Sequence, residues 1–347
     1  MSYCALNICL IHKEVVKIRK LSIEEEKRAL DLHKKAIIID SLNASVMCSE
    51  YFEKLRAGGV TAINHTIAMN HNMSETIKRI LDMQSLIKEE VDKVLLAKTA
   101  EDVIVAKRDG KVAIFLGFQN VLPLEDDLRT LELYHHLGIR IIQLSYHFRS
   151  VAADGGGERT DSGLSYFGIS LIEEMNRLGI VIDLAHVGKQ STLDAIEVSK
   201  DPVIVSHSNP RALVNTFQNK TDEEIKALAE KGGVIGITAF PRLLSLEPDK
   251  CTIDDLLNCI DYVVKLVGID HVGIGLDFAE GWAEFPPYRR NLIKIDKRVY
   301  NWPKGIENVT EFPNITRGLV ARGYSDDEVQ KILGGNFLRV FKEVFGK

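Results

Sequence analysis

Apolar positions along this chain recur in two rhythms. The first is a set of short continuous runs rich in Ile and Val: AIIIDSL (36–42), VTAINHTI (60–67), VAIFLGFQ (112–119), IRIIQLSY (139–146), IVIDLAH (180–186), PVIVSHS (202–208), VIGITAF (234–240) and HVGIGLDF (271–278). Runs of this length without polar alternation predict strands covered on both faces, as in a parallel sheet beneath helices. The second rhythm repeats apolar residues at helical spacing, in segments 74–95, 128–137, 164–178, 189–199, 222–231 and 252–267. Alternation of the two predicts an α/β protein, and eight units favour a single (β/α)8 TIM barrel over an open sheet. Glycines at 58–59, 110, 138, 179, 232–233 and 268 punctuate the helix-to-strand joints, where a left-handed residue ends a helix. Residues 1–30 read as a helical appendage and 31–347 as the barrel domain. The stretch 282–309 forms a long loop after the eighth strand, and helices near 310–322 and 325–344 are expected to complete the outer ring.

Composition narrows the partners. In 347 residues, 44 Lys and Arg face 49 Asp and Glu for a net charge of -5, and no basic stripe is present, which argues against nucleic acid. Cys4, Cys9, Cys48, Cys251 and Cys259 are odd in number and lack the spacing of a zinc site or a disulfide framework, so they read as reduced thiols. The apolar start YCALNICLI has no preceding basic residue and is too short to span a bilayer. A cytoplasmic protein without a membrane partner is the expectation.

In a (β/α)8 barrel the reacting groups stand at the carboxyl ends of the strands. Here those positions offer Asp40 and Asn43, His65, Gln119 and Asn120, Tyr146 and His147, His186, His207 and Asp277, with little at the seventh strand. His186 and His207 end consecutive strands in small-residue surroundings (LAHVG, SHSNP), as metal-ligating imidazoles would; Asp277 follows GIGL at the last strand end and could exchange a proton with a metal-bound water. His135 and His136 fall at a helix end, and His12, His33 and His71 are expected at the surface. The loop AADGGGERTDSGLS lacks the strand and helix of a phosphate loop. It is expected to be a flexible acidic flap carrying Asp154, Glu158 and Asp161 over the barrel mouth.

From about residue 112 to 340 the chain resembles the membrane dipeptidase (renal dipeptidase) family of the amidohydrolase superfamily. The matching stretches are LGIRIIQLSY, DSGLSYFGISLIEEMNRLGIVIDLAHV, PVIVSHSNPRAL, DEEIKALAEKGGVIGI, DHVGIGLDF and RGYSDDEVQKILGGNFLRV, in the family's order. The resemblance implies a barrel with two zinc ions, a homodimer, and cleavage of dipeptides with tolerance for a D-residue at the C-terminal position. Carried over residue by residue, His186 and His207 match the two histidines of one metal and Asp277 the aspartate that handles the proton. Asn336 and Arg339 match a stretch that closes the barrel and holds no ligand.

Departures fall on the chemistry. Leu42 and Ala44 stand where the family has a His-x-Asp ligand pair, and Gln119 replaces the bridging glutamate. Tyr146 replaces a histidine that assists at the scissile carbonyl, and Gln218 an arginine that grips the substrate carboxylate. Leucine and alanine cannot bind zinc, and a neutral amide is a poor bridge between two cations. Four outcomes stay open. One zinc ion is retained at His186 and His207, with Gln119 as a weak oxygen donor, Asp277 as general base, and Tyr146, Gln218, Asn43 and Glu158 facing a dipeptide or small amide. Otherwise the reaction has changed toward a substrate with an uncharged end, or the barrel binds a small ligand without catalysis, or it serves as a structural scaffold. Arg289 or Arg290 of the long loop could supply the cation missing at Gln218.

Overall fold

In a computed structural model that describes residues 20–281 and 301–346, the continuous apolar runs become parallel strands. They are β1 (Ile39–Asn43), β2 (Ala62–Ala68), β3 (Val94–Leu96), β4 (Val112–Phe118), β5 (Ile139–Gln143), β6 (Val181–Asp183), β7 (Ile204–Ser208), β8 (Val234–Ile237) and β9 (Val272–Ile274). Their order is β2-β1-β9-β8-β7-β6-β5-β4-β3, and a further pairing of β2 with β4 closes the barrel. Eight of the nine strands form the closed ring. β3 and β5 share one edge of β4: Val94 to Leu96 pair with Val112 to Ile114, and β5 takes over from Leu116.

The helices are α1 (Ile23–Lys35), α2 (Ser49–Ala57), α3 (Met73–Glu89), α4 (Ala100–Asp109), α5 (Arg129–Leu137), α6 (Tyr166–Leu178), α7 (Lys189–Val198), α8 (Asp222–Glu230), α9 (Pro241–Leu244), α10 (Ile253–Val267), α11 (Pro313–Ala321), α12 (Asp326–Gln330) and α13 (Asn336–Phe345). The helical pattern over 74–95 is therefore cut short. α3 ends at Glu89, and Val94 and Leu95 turn into β3 because Val112 and Ala113 offer an open strand edge. α4 lies in a stretch whose pattern predicted no element. Its capping box on Thr99 and Asp102 and the left-handed Gly110 mark its two ends.

Alternation along the strands builds two cores. Ile63, Ile114, Ile142, Ile182, Val205 and Ile235 face the helices in the large outer core. Ile39, Ala62, Phe115, Ile141, Val181 and Ile204 face inward, where they meet Phe337 and Phe341 of α13. The Phe115 and Phe341 rings meet edge-on with centroids 5.1 Å apart. The last helix thus plugs the amino-terminal end of the barrel instead of joining the outer ring. α1 packs on α11, burying Ala29 and Leu32, and the residue 30/31 boundary falls within it. His33, expected at the surface, is buried there with ring nitrogens 2.8 Å from Thr316 Oγ1 and 2.9 Å from the Gly58 carbonyl. Residues 1–19, which hold His12, and most of the long loop, including Arg289 and Arg290, lie outside the described residues.

Candidate active site

At the carboxyl end of the barrel three imidazoles converge. His207, next to last in β7, has its Nε2 2.8 Å from His186 Nε2, and His186 Nδ1 lies 2.9 Å from His147 Nδ1. The Tyr146 ring rests on His147 and His186, with centroids 4.2 and 4.6 Å apart. His147, His186 and Asp277 all have left-handed backbone, φ between 61° and 64°. Non-glycine residues held there carry strain that clusters at functional sites.

The proton positions follow from one residue absent from the sequence-based candidates. Arg242, in α9 after the seventh barrel strand, donates from Nη2 to Gln218 Oε1. An arginine can only donate, so the Gln218 amide must turn its Nε2 toward His186 Nδ1, 3.2 Å away. His186 then carries its proton on Nε2 and gives it to His207 Nε2. His207 is protonated on Nδ1, which donates to Ser206 Oγ at 2.7 Å, and that hydroxyl donates to Asp183 Oδ2 at 2.5 Å. Asp183 also accepts from the Ser206 and Ala185 amides at 2.9 and 3.0 Å. One directed chain runs Arg242, Gln218, His186, His207, Ser206, Asp183. Burial holds the imidazoles neutral, with His147 and His207 both pushed down to about 3.

The glycine-rich loop explains how His147 and His186 come together. Gly156 N donates to the His186 carbonyl at 2.7 Å and Gly157 N to the His147 carbonyl at 2.8 Å. A Cβ on Gly155 would collide with the His147 carbonyl, and one on Gly156 with that of Phe217, so the run is glycine because backbones cross there. The expected flexible acidic flap is pinned. Asp154 pairs with Arg149, and Asp161 accepts from Gln190 N at 2.5 Å and Ser191 Oγ at 2.8 Å at the start of α7. Glu158 accepts from the Arg149 and Arg159 amides and has no recorded contact with the imidazoles. Behind His186, the buried Lys220 ammonium donates to the Val187 carbonyl at 2.7 Å and Thr192 Oγ1 at 2.8 Å, and pairs with Glu224 at 3.1 Å.

The first-strand side holds different chemistry. Asp277 is partly buried at the mouth, its carboxyl pushed up to about 8 by burial and then by Asp40, itself raised to about 7 by burial. Asn43 is spent internally. Its amide nitrogen is 3.0 Å from both Asp40 Oδ2 and the Tyr51 hydroxyl, and its oxygen accepts from Ser45 N. Gln119 donates to Thr66 Oγ1 at 2.8 Å. Leu42 and Ala44 are buried. Among the described residues no group of three or more His, Cys, Asp or Glu is disposed to hold a metal ion. The donor set therefore does not fit a metal pair. His186 and His207 face each other through Nε2 atoms that share a proton, which a bound cation would have to displace.

Comparison with known proteins gives the family of this barrel. Residues 26–345 match the family model for membrane dipeptidase (Peptidase family M19). The dipeptidase tcpJ of Claviceps purpurea is 31% identical over 280 residues, covering 80% of this chain and 62% of that protein. An uncharacterized dipeptidase of Schizosaccharomyces pombe is 34% identical over 251 residues, covering 70% and 56%. The crystal structure of an amidohydrolase from Pseudomonas aeruginosa superposes with a TM-score of 0.87 at 38% identity, over 92% of this chain and 99% of that one. The chain spans about three fifths of the length of the two curated relatives. It belongs to the membrane dipeptidase family.

Asp183, Ser206, Lys220 and Arg242 were passed over in the sequence, and His147 was noted at its strand end without a role. Asp183 had a signal, since a carboxylate inside an apolar run must be paired. His147 stood beside Tyr146 at the same strand end. Arg242 had none, because its contact depends on how α9 meets the loop that carries Gln218.

Proposed function

We propose that this protein is a dipeptidase-like hydrolase that cleaves a dipeptide or a related small amide using at most one metal ion. The observation that carries this is the convergence of His147, His186 and His207 at the barrel mouth, on a chain of the membrane dipeptidase family. His186 and His207 would hold the ion, which when bound lowers the pKa of a coordinated water toward neutrality. Gln119 and Glu158 are less favoured as site groups, since their recorded bonds are to Thr66 and to loop amides. Asp277, titrating near 8, can hold or release a proton close to neutral pH. Arg242 brings a cation to Gln218, which supports a substrate with a carboxylate end over one with an uncharged end. Tyr146 offers a phenol beside His186. The proposal includes a cytoplasmic homodimer, argued from the cysteine pattern and the family resemblance.

A dipeptide panel assayed together with metal analysis is the test. Turnover with no more than one equivalent of zinc, lost in His207→Ala and Asp277→Asn, supports the proposal. Two bound ions, or no turnover across the panel after zinc loading, would overturn it. The second outcome favours a barrel that binds a small ligand without peptidase activity, a reading supported by the buried Leu42 and Ala44.

A further inference from the structure

Ala44, at one of the two positions where the family resemblance places the His-x-Asp ligands, lines a pocket. The pocket encloses about 380 Å³ between the loop after β1, the end of β2, and α3, with Ala44, His65, Arg79, Asp82, Met69 and Met83 among its walls. That volume lies in the range of small-molecule sites, and the mixture of apolar wall and few polar groups is the usual composition.

Three polar groups define what would fit. His65 is 8% exposed, and its Nδ1 donates to the Asn43 carbonyl at 3.2 Å. Burial holds the ring neutral, its pKa pushed down to about 4, so Nε2 is a lone pair without a recorded partner. Arg79 spends its Nε on the Ile67 carbonyl, which fixes the guanidinium at the pocket edge and leaves its terminal nitrogens for a ligand. Its charge acts on His65, and Asp82, three residues further along α3, acts on Arg79; all three line the same pocket. An exposed cation and anion of α3 and a buried neutral acceptor line one pocket together with two thioethers. That is the complement of a zwitterion with an apolar tail.

We infer that this pocket binds a free apolar α-amino acid, with its carboxylate on Arg79, its ammonium between Asp82 and His65, and its side chain on Met69 and Met83. The site is separate from the imidazole cluster and holds whether or not the barrel mouth hydrolyses anything. Its occupant would sit beside Ala44 and Thr66, and Thr66 holds Gln119, so occupancy can reach the mouth through one hydroxyl.

Titration calorimetry on the full chain tests this with L-leucine, leucinamide and 4-methylpentanoic acid. Leucine should bind at one site, and leucinamide, which lacks the carboxylate, and 4-methylpentanoate, which lacks the ammonium, should each bind at least about tenfold more weakly, the equivalent of one charge-assisted hydrogen bond. Arg79→Met and Asp82→Asn should weaken leucine by a similar factor, whereas His207→Ala should leave it unchanged. Absence of leucine binding overturns the inference, as does binding that survives Arg79→Met but is lost in His207→Ala. Dipeptide turnover measured on Arg79→Met reports the imidazole site separately, so failure of one proposal is distinguishable from failure of the other.

Discussion

Lys220→Met should destabilise the protein severely, and for a reason local to His186. The Lys220 and Glu224 side chains are each only 2% exposed, with Nζ and Oε1 3.1 Å apart. Methionine fills nearly the same volume but leaves the Glu224 charge buried without its partner, and removes the donors to the Val187 carbonyl and Thr192. Breaking a buried pair from one side costs about 3–5 kcal/mol, because an uncompensated charge remains. At roughly 2–4 °C per kcal/mol for a large domain, melting should drop by on the order of 10 °C. Glu224 also caps α8, with Oε2 2.8 Å from Thr221 N. The matching variant is therefore Glu224→Gln, which keeps the cap acceptor and removes the charge. Urea unfolding at pH 7, alongside thermal melting, should show Lys220→Met/Glu224→Gln recovering more than half of the loss. A single variant costing less than about 1 kcal/mol, or a double variant no better than the single, would refute the role assigned to the pair.

Two further outcomes follow from the same geometry. Asp277, and Asp40 behind it, have carboxyls raised to about 8 and 7, so the folded chain binds more protons than the unfolded chain between pH 4 and 8. Stability should therefore fall as pH rises through that window, by at most about 1.4 kcal/mol per pH unit for each group. Asp277→Asn should flatten the profile measured by urea unfolding, and an unchanged slope would contradict the assignment. Gly155→Ala drives a Cβ into the His147 carbonyl. It should cost about 1–3 kcal/mol, the usual range for overpacking, and perturb His147 in a histidine NMR spectrum; a neutral substitution would show that the loop does not set that ring.

The barrel was legible because parallel strands buried on both faces must be apolar throughout, a pattern that helices and loops rarely imitate. β3 escaped because three residues carry little pattern and VDKVLL continues the apolar spacing of α3; its conformation is imposed by the free edge of β4. His186 and His207 were legible as strand-end imidazoles. The rest of their chain was not, for two physical reasons. Asp183 and Ser206 lie inside the strands themselves and read as backbone filler until their side chains are seen to meet across β6 and β7. Gln218 on a loop and Arg242 in the short α9 are 24 positions apart, and no periodicity links them. Asn43 shows the converse: a strand-end amide looks available in the sequence, yet Tyr51 and Ser45 occupy it.

The directed chain also makes a statement about metal affinity. An ion on His186 Nε2 requires that ring to carry its proton on Nδ1, where the Gln218 amide already presents a donor. Two donors facing each other in a buried site cost about 1–3 kcal/mol. Gln218 could resolve the conflict by rotating its amide, but Arg242 holds the oxygen in place. Arg242→Met frees that rotation, so the variant should bind zinc more tightly by roughly 5- to 150-fold, since 1.4 kcal/mol is a factor of ten. Competition against a chromogenic chelator measures it without reference to turnover. The effect runs opposite to the loss expected from removing a group that supports a metal ligand, which ordinarily weakens binding. Equal or weaker zinc binding in Arg242→Met would mean that Arg242 does not set the His186 tautomer, and the proton order from Arg242 to Asp183 would have to be abandoned.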